Sequence, residues 1–265
     1  MRREPMRLFA FVVLVVLVAL AGCASTGGGK PPKSANNAGG THTTMSNKGL
    51  ANLNLAHNYM NAGRLDYAMD RANRALRSDP NSPDVQIVIG QIREKLGDDE
   101  RAGQHYAQAV KFAPEAGHVL NVHAVWLCRR GAAEESDALF SRAVKDPFYK
   151  AKHQAYFNAG KCALQAGQLD RAEKYLRSGV EVAPQDPLLL AQLAEVKFRQ
   201  GDYMAARAFF QRREALGSPG AELLDLAVRI ERGAGDTVAA ERYRRRLNEQ
   251  FPDYTPPATE GSRQP

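Results

Sequence analysis

Residues 160–172 read GKCALQAGQLDRA, and three of them fix the reading. Gly167 follows a small residue, Gly160, by seven positions and precedes another, Ala172, by five. The same triplet recurs outward in both directions. The glycines are Gly63, Gly97, Gly131, Gly167, Gly201 and Gly235, spaced by 34, 34, 36, 34 and 34 residues. Five residues after each stands Ala68, Ala102, Ser136, Ala172, Ala206 or Ala240; seven before each stands Ala56, Gly90, Ala124, Gly160, Ala194 or Val228. Prolines mark five of the repeat ends: Pro80, Pro114, Pro147, Pro184 and Pro252. Three ladders in one phase define an internal repeat.

A period of 34 residues is that of the tetratricopeptide repeat, a pair of antiparallel helices. Each glycine ends the first helix in a left-handed turn that a Cβ would resist. The small residues on the two helices let their backbones approach, and the proline stops the second helix. Val228, the one larger residue on its ladder, predicts looser packing in the last repeat. A single hairpin cannot bury its apolar face, so neighbours must stack. The expected fold is all-α: a right-handed superhelix of six such repeats, an α-solenoid with no sheet. The repeats fall at 49–82, 83–116, 117–152, 153–186, 187–220 and 221–254, together spanning 49–254. The third is two residues long, and the excess lies in Asp146-Pro147-Phe148-Tyr149-Lys150.

Ahead of the array the chain changes character. Arg2, Arg3 and Arg7 precede an apolar run from Leu8 to Leu20, too short to span a bilayer of the usual thickness. Leu20-Ala21-Gly22-Cys23 follows and closely resembles the bacterial lipobox. Residues 1–22 therefore read as a lipoprotein signal peptide. The resemblance implies cleavage before Cys23, acylation of that residue, and an anchor by several fatty chains. Ala24-Ser25 lacks the aspartate that retains enterobacterial lipoproteins in the inner membrane, which points to the outer membrane and a periplasm-facing body. Residues 23–48, rich in Gly, Ser, Thr, Asn, Pro and Lys, read as a lipidated flexible tether, and 255–265 as a disordered tail. Gly27-Gly28-Gly29-Lys30 is no phosphate loop, because Pro31 stands where Ser or Thr is required.

The formal net charge is +7, and removal of the leader leaves +5, from 33 basic and 28 acidic residues. No basic stripe interleaves with aromatics, so nucleic acid is not an expected partner. The six histidines show no metal-binding spacing, no Gly-x-Ser-x-Gly elbow is present, and Glu134 and Glu135 suit a solvated helix start. No catalytic residue, metal, cofactor or small-molecule substrate is expected. Cys128 and Cys162 fall in the first helices of adjacent repeats, whose axes stand ~8–10 Å apart against the ~7 Å limit for bridged Cα atoms, and two free thiols are expected. Arg242, Arg244, Arg245 and Arg246 read as the solvated face of the last helix, the alternative being a docking patch for acidic partners. By analogy with tetratricopeptide arrays, the inner groove of repeats three to five is lined by Val125, Phe157, Lys161, Leu164, Leu188 and Phe198. Arg129, Lys161 and Arg199 would rim it, giving a surface for a peptide or helix with apolar anchors; the alternative is that these apolar residues pack against side chains of the neighbouring first helices.

Lipobox, tether, six repeats and a lengthened third junction together resemble the PilF/PilW family of type IV pilus biogenesis and stability lipoproteins. The stronger local pieces are Tyr156-Phe157-Asn158-Ala159-Gly160, Gly201-Asp202-Tyr203-Met204-Ala205-Ala206-Arg207 and Arg246-Leu247-Asn248-Glu249-Gln250-Phe251-Pro252. The resemblance implies a helper and not an enzyme: a pilotin that binds the secretin subunit and promotes its outer-membrane localisation and multimerisation. The other reading is a repeat lipoprotein that scaffolds outer-membrane protein insertion or a cell-wall synthase.

Overall fold

Each glycine of the ladder adopts the left-handed conformation, with φ between 71° and 80° in all six turns. The residue after each glycine donates its N–H to the carbonyl five positions back, as in Arg64 to Tyr59 (2.9 Å) and Gln168 to Ala163 (2.8 Å). That bond closes the first helix of every hairpin in a Schellman turn. The computed structural model describes residues 45–256, in which twelve helices and no strand occur.

The helices pair in order. Repeat one comprises α1 (Asn47–Asn61) and α2 (Leu65–Ser78); repeat two, α3 (Pro83–Lys95) and α4 (Asp99–Phe112). Repeat three comprises α5 (Gly117–Arg129) and α6 (Ala133–Ala143); repeat four, α7 (Lys152–Gln165) and α8 (Leu169–Val182). Repeat five comprises α9 (Pro187–Arg199) and α10 (Tyr203–Glu214); repeat six, α11 (Ala221–Gly233) and α12 (Thr237–Gln250). α1 starts two residues before the expected start of repeat one at 49, because Ser46 caps it by accepting the Gly49 N–H and is itself held by Asp79. The leader, Cys23, most of the tether and residues 257–265 lie outside the described residues.

Small-residue packing explains the hairpins. Ala68, Ala102, Ser136, Ala172, Ala206 and Ala240 are all buried. Ser136 satisfies its hydroxyl by donating to the carbonyl of Ala124 on the facing helix (2.9 Å). Where the second helix leans a large side chain onto the first, the first has no side chain. A Cβ at Gly90 would stand 2.7 Å from the Tyr106 ring, and one at Gly160 would stand 2.5 Å from Leu176. Val228 is buried in one cluster with Phe210, Tyr243 and Leu247.

The long junction after α6 is built around Asp146, whose carboxylate accepts the N–H of Gly117 and that of Phe148, each at 2.8 Å. Tyr149 fills the space that the missing side chain of Gly117 leaves, packing on Leu120, Ala143 and Ala155. Burial pushes its phenol up to about 12.

One expectation fails here. Cys128 and Cys162 are joined in a disulfide, with Cα atoms 5.8 Å apart. Axis spacing is not Cα spacing: each Cα stands ~2.3 Å off its axis. Residues facing each other across helices ~8–10 Å apart are therefore within bridging distance. The bond joins α5 to α7 across the long junction.

Candidate functional site

A groove runs over repeats one to three, bordered mainly by their first helices. Met60 of α1, Gln91, Glu94 and Lys95 of α3, and Asn121, Val122, Val125, Trp126 and Arg129 of α5 border it. It is an open groove of about 890 Å³. Trp126, the only tryptophan in the chain, is its central aromatic. Its ring sits over Gly103, where a Cβ would stand 2.4 Å away, and against the rings of His123 and Tyr106 at centroid distances of 5.8 and 6.1 Å. The Arg130 guanidinium lies 5.4 Å from the ring centre.

Charge pairs between repeats fix the rim. Arg129 Nη2 lies 2.5 Å from Glu94 Oε1, and Arg130 Nη1 lies 3.0 Å from Asp99 Oδ2. Glu94 also accepts a hydrogen bond from the Tyr106 hydroxyl. Burial and that carboxylate push the Tyr106 phenol far above its ordinary range, so it stays a donor. Burial pulls the His123 imidazole down, which keeps the aromatic cluster neutral. The indole N–H of Trp126 is buried with no acceptor among the described residues. A groove with an aromatic floor and a rim of charge pairs offers recognition chemistry. Among the described residues no three His, Cys, Asp or Glu side chains could hold a metal together.

The residues expected to line one strip on repeats three to five are distributed otherwise. Val125 and Arg129 line the groove just described. Leu164 is buried beside Leu176 and Leu189, and Phe157 packs on that same cluster. Both are there because packing between repeats demands them. Phe198 is half-buried against Tyr203 (5.9 Å between ring centroids), with the Arg229 guanidinium 4.9 Å from its ring centre. Arg199 is exposed and held by Glu195 at 2.6 Å on its own helix. Lys161 is exposed. Leu188, 59% exposed, borders a second groove of about 740 Å³ with Ala191, Leu223, Leu226 and Tyr254. At the C-terminal end, Arg246 pairs with Glu214 and Arg244 faces Glu241 at 3.6 Å, whereas Arg242 and Arg245 are exposed. Sequence reasoning did not single out Trp126, Tyr106 or Glu94. The uniqueness of Trp126 on a first helix was the available signal.

Comparison with known proteins agrees with the repeat fold. Tetratricopeptide-repeat family profiles match residues 53–117 and 129–187, and a second such profile matches 163–217. The type IV pilus assembly protein PilF of Pseudomonas aeruginosa is 22% identical over 243 residues, covering 92% of this chain and 94% of PilF. The solved structure of PilW, described as a widely conserved type IV pilus biogenesis factor, superposes with a TM-score of 0.73 at 28% identity, over 79% of this chain and 96% of PilW. That of P. aeruginosa PilF superposes with a TM-score of 0.70 at 21% identity, over 78% and 93% of the two chains. The chain is a tetratricopeptide-repeat protein of the PilF/PilW-like kind, whose relatives are type IV pilus assembly and biogenesis proteins.

Proposed function

We propose that this chain is an outer-membrane lipoprotein that acts as a pilotin: it binds the secretin subunit of a type IV pilus system and promotes that subunit's outer-membrane localisation and multimerisation. The observation that carries the reading is the match to PilF, which runs through nearly the whole of both chains and not only through a few generic repeats.

Features of this chain support the parts of the reading. Leu20-Ala21-Gly22-Cys23 supports acylation at Cys23. The Cys128–Cys162 disulfide supports a body that folds in an oxidising compartment such as the periplasm. The groove beside Trp126, with its hydrogen-bonded and ion-paired rim, supports capture of a protein segment over turnover of a small molecule.

The mechanism follows from joining the parts. Acyl chains on Cys23 hold the body at a leaflet, and the Gly-, Ser- and Asn-rich composition of residues 23–48 suits a tether with a reach of ~25–30 Å. Anchoring the array on the membrane to which the secretin must go raises the effective concentration of one for the other without a new contact. Replacing Cys23 with Ala tests this. Helical content should be unchanged, while secretin multimers, read by gel after mild solubilisation, should fall. Normal multimer levels with the unacylated chain would contradict the anchoring mechanism.

A further inference from the structure

The third residue after each turn glycine lies in the first turn of the second helix of its hairpin, and its identity changes along the array. It is Asp66, Glu100, Glu134 and Asp170 in the first four repeats, then Met204 and Val238 in the last two. An acid suits that place, because a helix N-terminus favours negative charge. Glu134 shows the further use made of it, accepting hydrogen bonds from Gln168 and Arg171 of the next repeat. Met204 and Val238 give up both benefits. They are also 64% and 79% exposed, the highest values among the large apolar side chains described. Hairpin packing does not account for them.

Arginines accompany the apolar pair. Arg242 and Arg245 follow Val238 by four and seven positions and so lie on the same face of α12. Both are exposed and neither has a carboxylate partner among the described residues; Arg242 rests 5.5 Å from the ring centre of its neighbour Tyr243. Most acids nearby are occupied. Asp202 and Asp236 accept the N–H groups of Ala205 and Ala239, Asp236 also faces Arg207 at 3.7 Å, and Glu241 faces Arg244. Glu249 lies one turn beyond Arg245.

We propose that this edge of repeats five and six rests on an anionic phospholipid leaflet, with Met204 and Val238 at the acyl boundary and Arg242 and Arg245 on lipid phosphates. Apolar side chains beside arginines on one exposed helix face are what an interfacial helix presents to charged lipid. A protein partner would instead want a pocket around its anchors, and neither groove is bordered by these four residues. The inference rests on the lipid anchor proposed above. Four side chains are too few to recruit a protein from solution, and suffice to orient a body already held at a membrane.

The test uses the acylated full chain carrying Val238→Cys, labelled there with a polarity-sensitive dye. The introduced thiol is the free one, since Cys128 and Cys162 are bridged and Cys23 is acylated. The labelled protein is mixed with phosphatidylcholine vesicles with or without phosphatidylglycerol, and flotation is read beside fluorescence. The expected result is a several-fold brighter, blue-shifted signal on the anionic vesicles only. It should be lost in the Arg242→Glu/Arg245→Glu background and absent from a label at Asp66→Cys. Flotation without a change at position 238 overturns the edge contact and leaves the anchor standing. An equal response on neutral vesicles, whose lipids also carry phosphates, overturns the role given to the leaflet's net negative charge. Failure to float overturns anchor and edge together.

Discussion

Lys197 Nζ lies 2.7 Å from Glu173 Oε2, a buried lysine of α9 reaching back to a carboxylate of α8. One repeat later the same two positions hold Arg207 and Glu231, also paired, with the charges exchanged. The joints between repeats four and five and between five and six are thus equivalent in geometry and opposite in sign. A slip or exchange of neighbouring hairpins would set like charges together in a poorly solvated place. Removing one partner of such a pair typically costs ~3–5 kcal/mol, because the other is left uncompensated. Here Glu173 keeps Arg177 (2.6 Å) and Gln200 (3.0 Å). Lys197→Ala should therefore fall at the lower end, ~3 kcal/mol. Lys197→Glu should cost more, and adding Glu173→Lys should restore part of that loss. Urea denaturation of the single and double variants measures the coupling.

The same carboxylate makes the fold acid-sensitive. Burial opposes ionisation of Glu173, but hydrogen bonds from Lys197, Arg177 and Gln200 outweigh it and hold the group at about 2. An unfolded glutamate titrates near ~4.3. The folded value is the lower one, so the stabilisation is complete above ~4.3 and is lost as the pH falls through that value toward 2. Melting temperatures of the native chain should drop across this window. Glu173→Gln should lower stability at neutral pH and flatten the acid limb. A limb of unchanged steepness in that variant would assign the acid sensitivity elsewhere.

The disulfide closes a loop of 34 residues containing the lengthened junction. Loop-closure entropy for that length corresponds to ~3–4 kcal/mol. Replacing Cys128 and Cys162 together with Ser should lower stability by about that amount while leaving the helical signal of the folded chain in place. Mass spectrometry of alkylated, unreduced protein should find both cysteines unmodified and linked. Two alkylated thiols would contradict the bond.

Much of the fold was legible because one geometric requirement recurs six times. Only a residue without a Cβ adopts the turn at Gly63 or Gly167 cheaply, and only a small one fits at Ala68 or Ala172, so backbone sterics wrote a visible period. The disulfide was missed because helix axes were compared where facing Cα atoms decide. The site was less legible for a related reason. A large apolar residue on a first helix serves either the joint between repeats or the open groove, and periodicity is the same for both. Leu164 and Phe157 went to the joint. Trp126 could sit at the groove because Gly103, on the second helix of the repeat before, makes room for its ring. That pairing across repeats has no signature in a single 34-residue unit.

The central claim is that the array is a recognition surface whose groove over repeats one to three receives a protein segment. Trp126 reports on that groove without a label, since no other tryptophan contributes to the emission. Titrating the chain with the purified, tryptophan-free periplasmic part of the secretin should shift and saturate that emission. The titration should weaken at least tenfold, about 1.4 kcal/mol, in Arg129→Glu, which sets a carboxylate against Glu94 at the rim. Binding that leaves the Trp126 emission unmoved and is indifferent to Arg129→Glu would contradict the account.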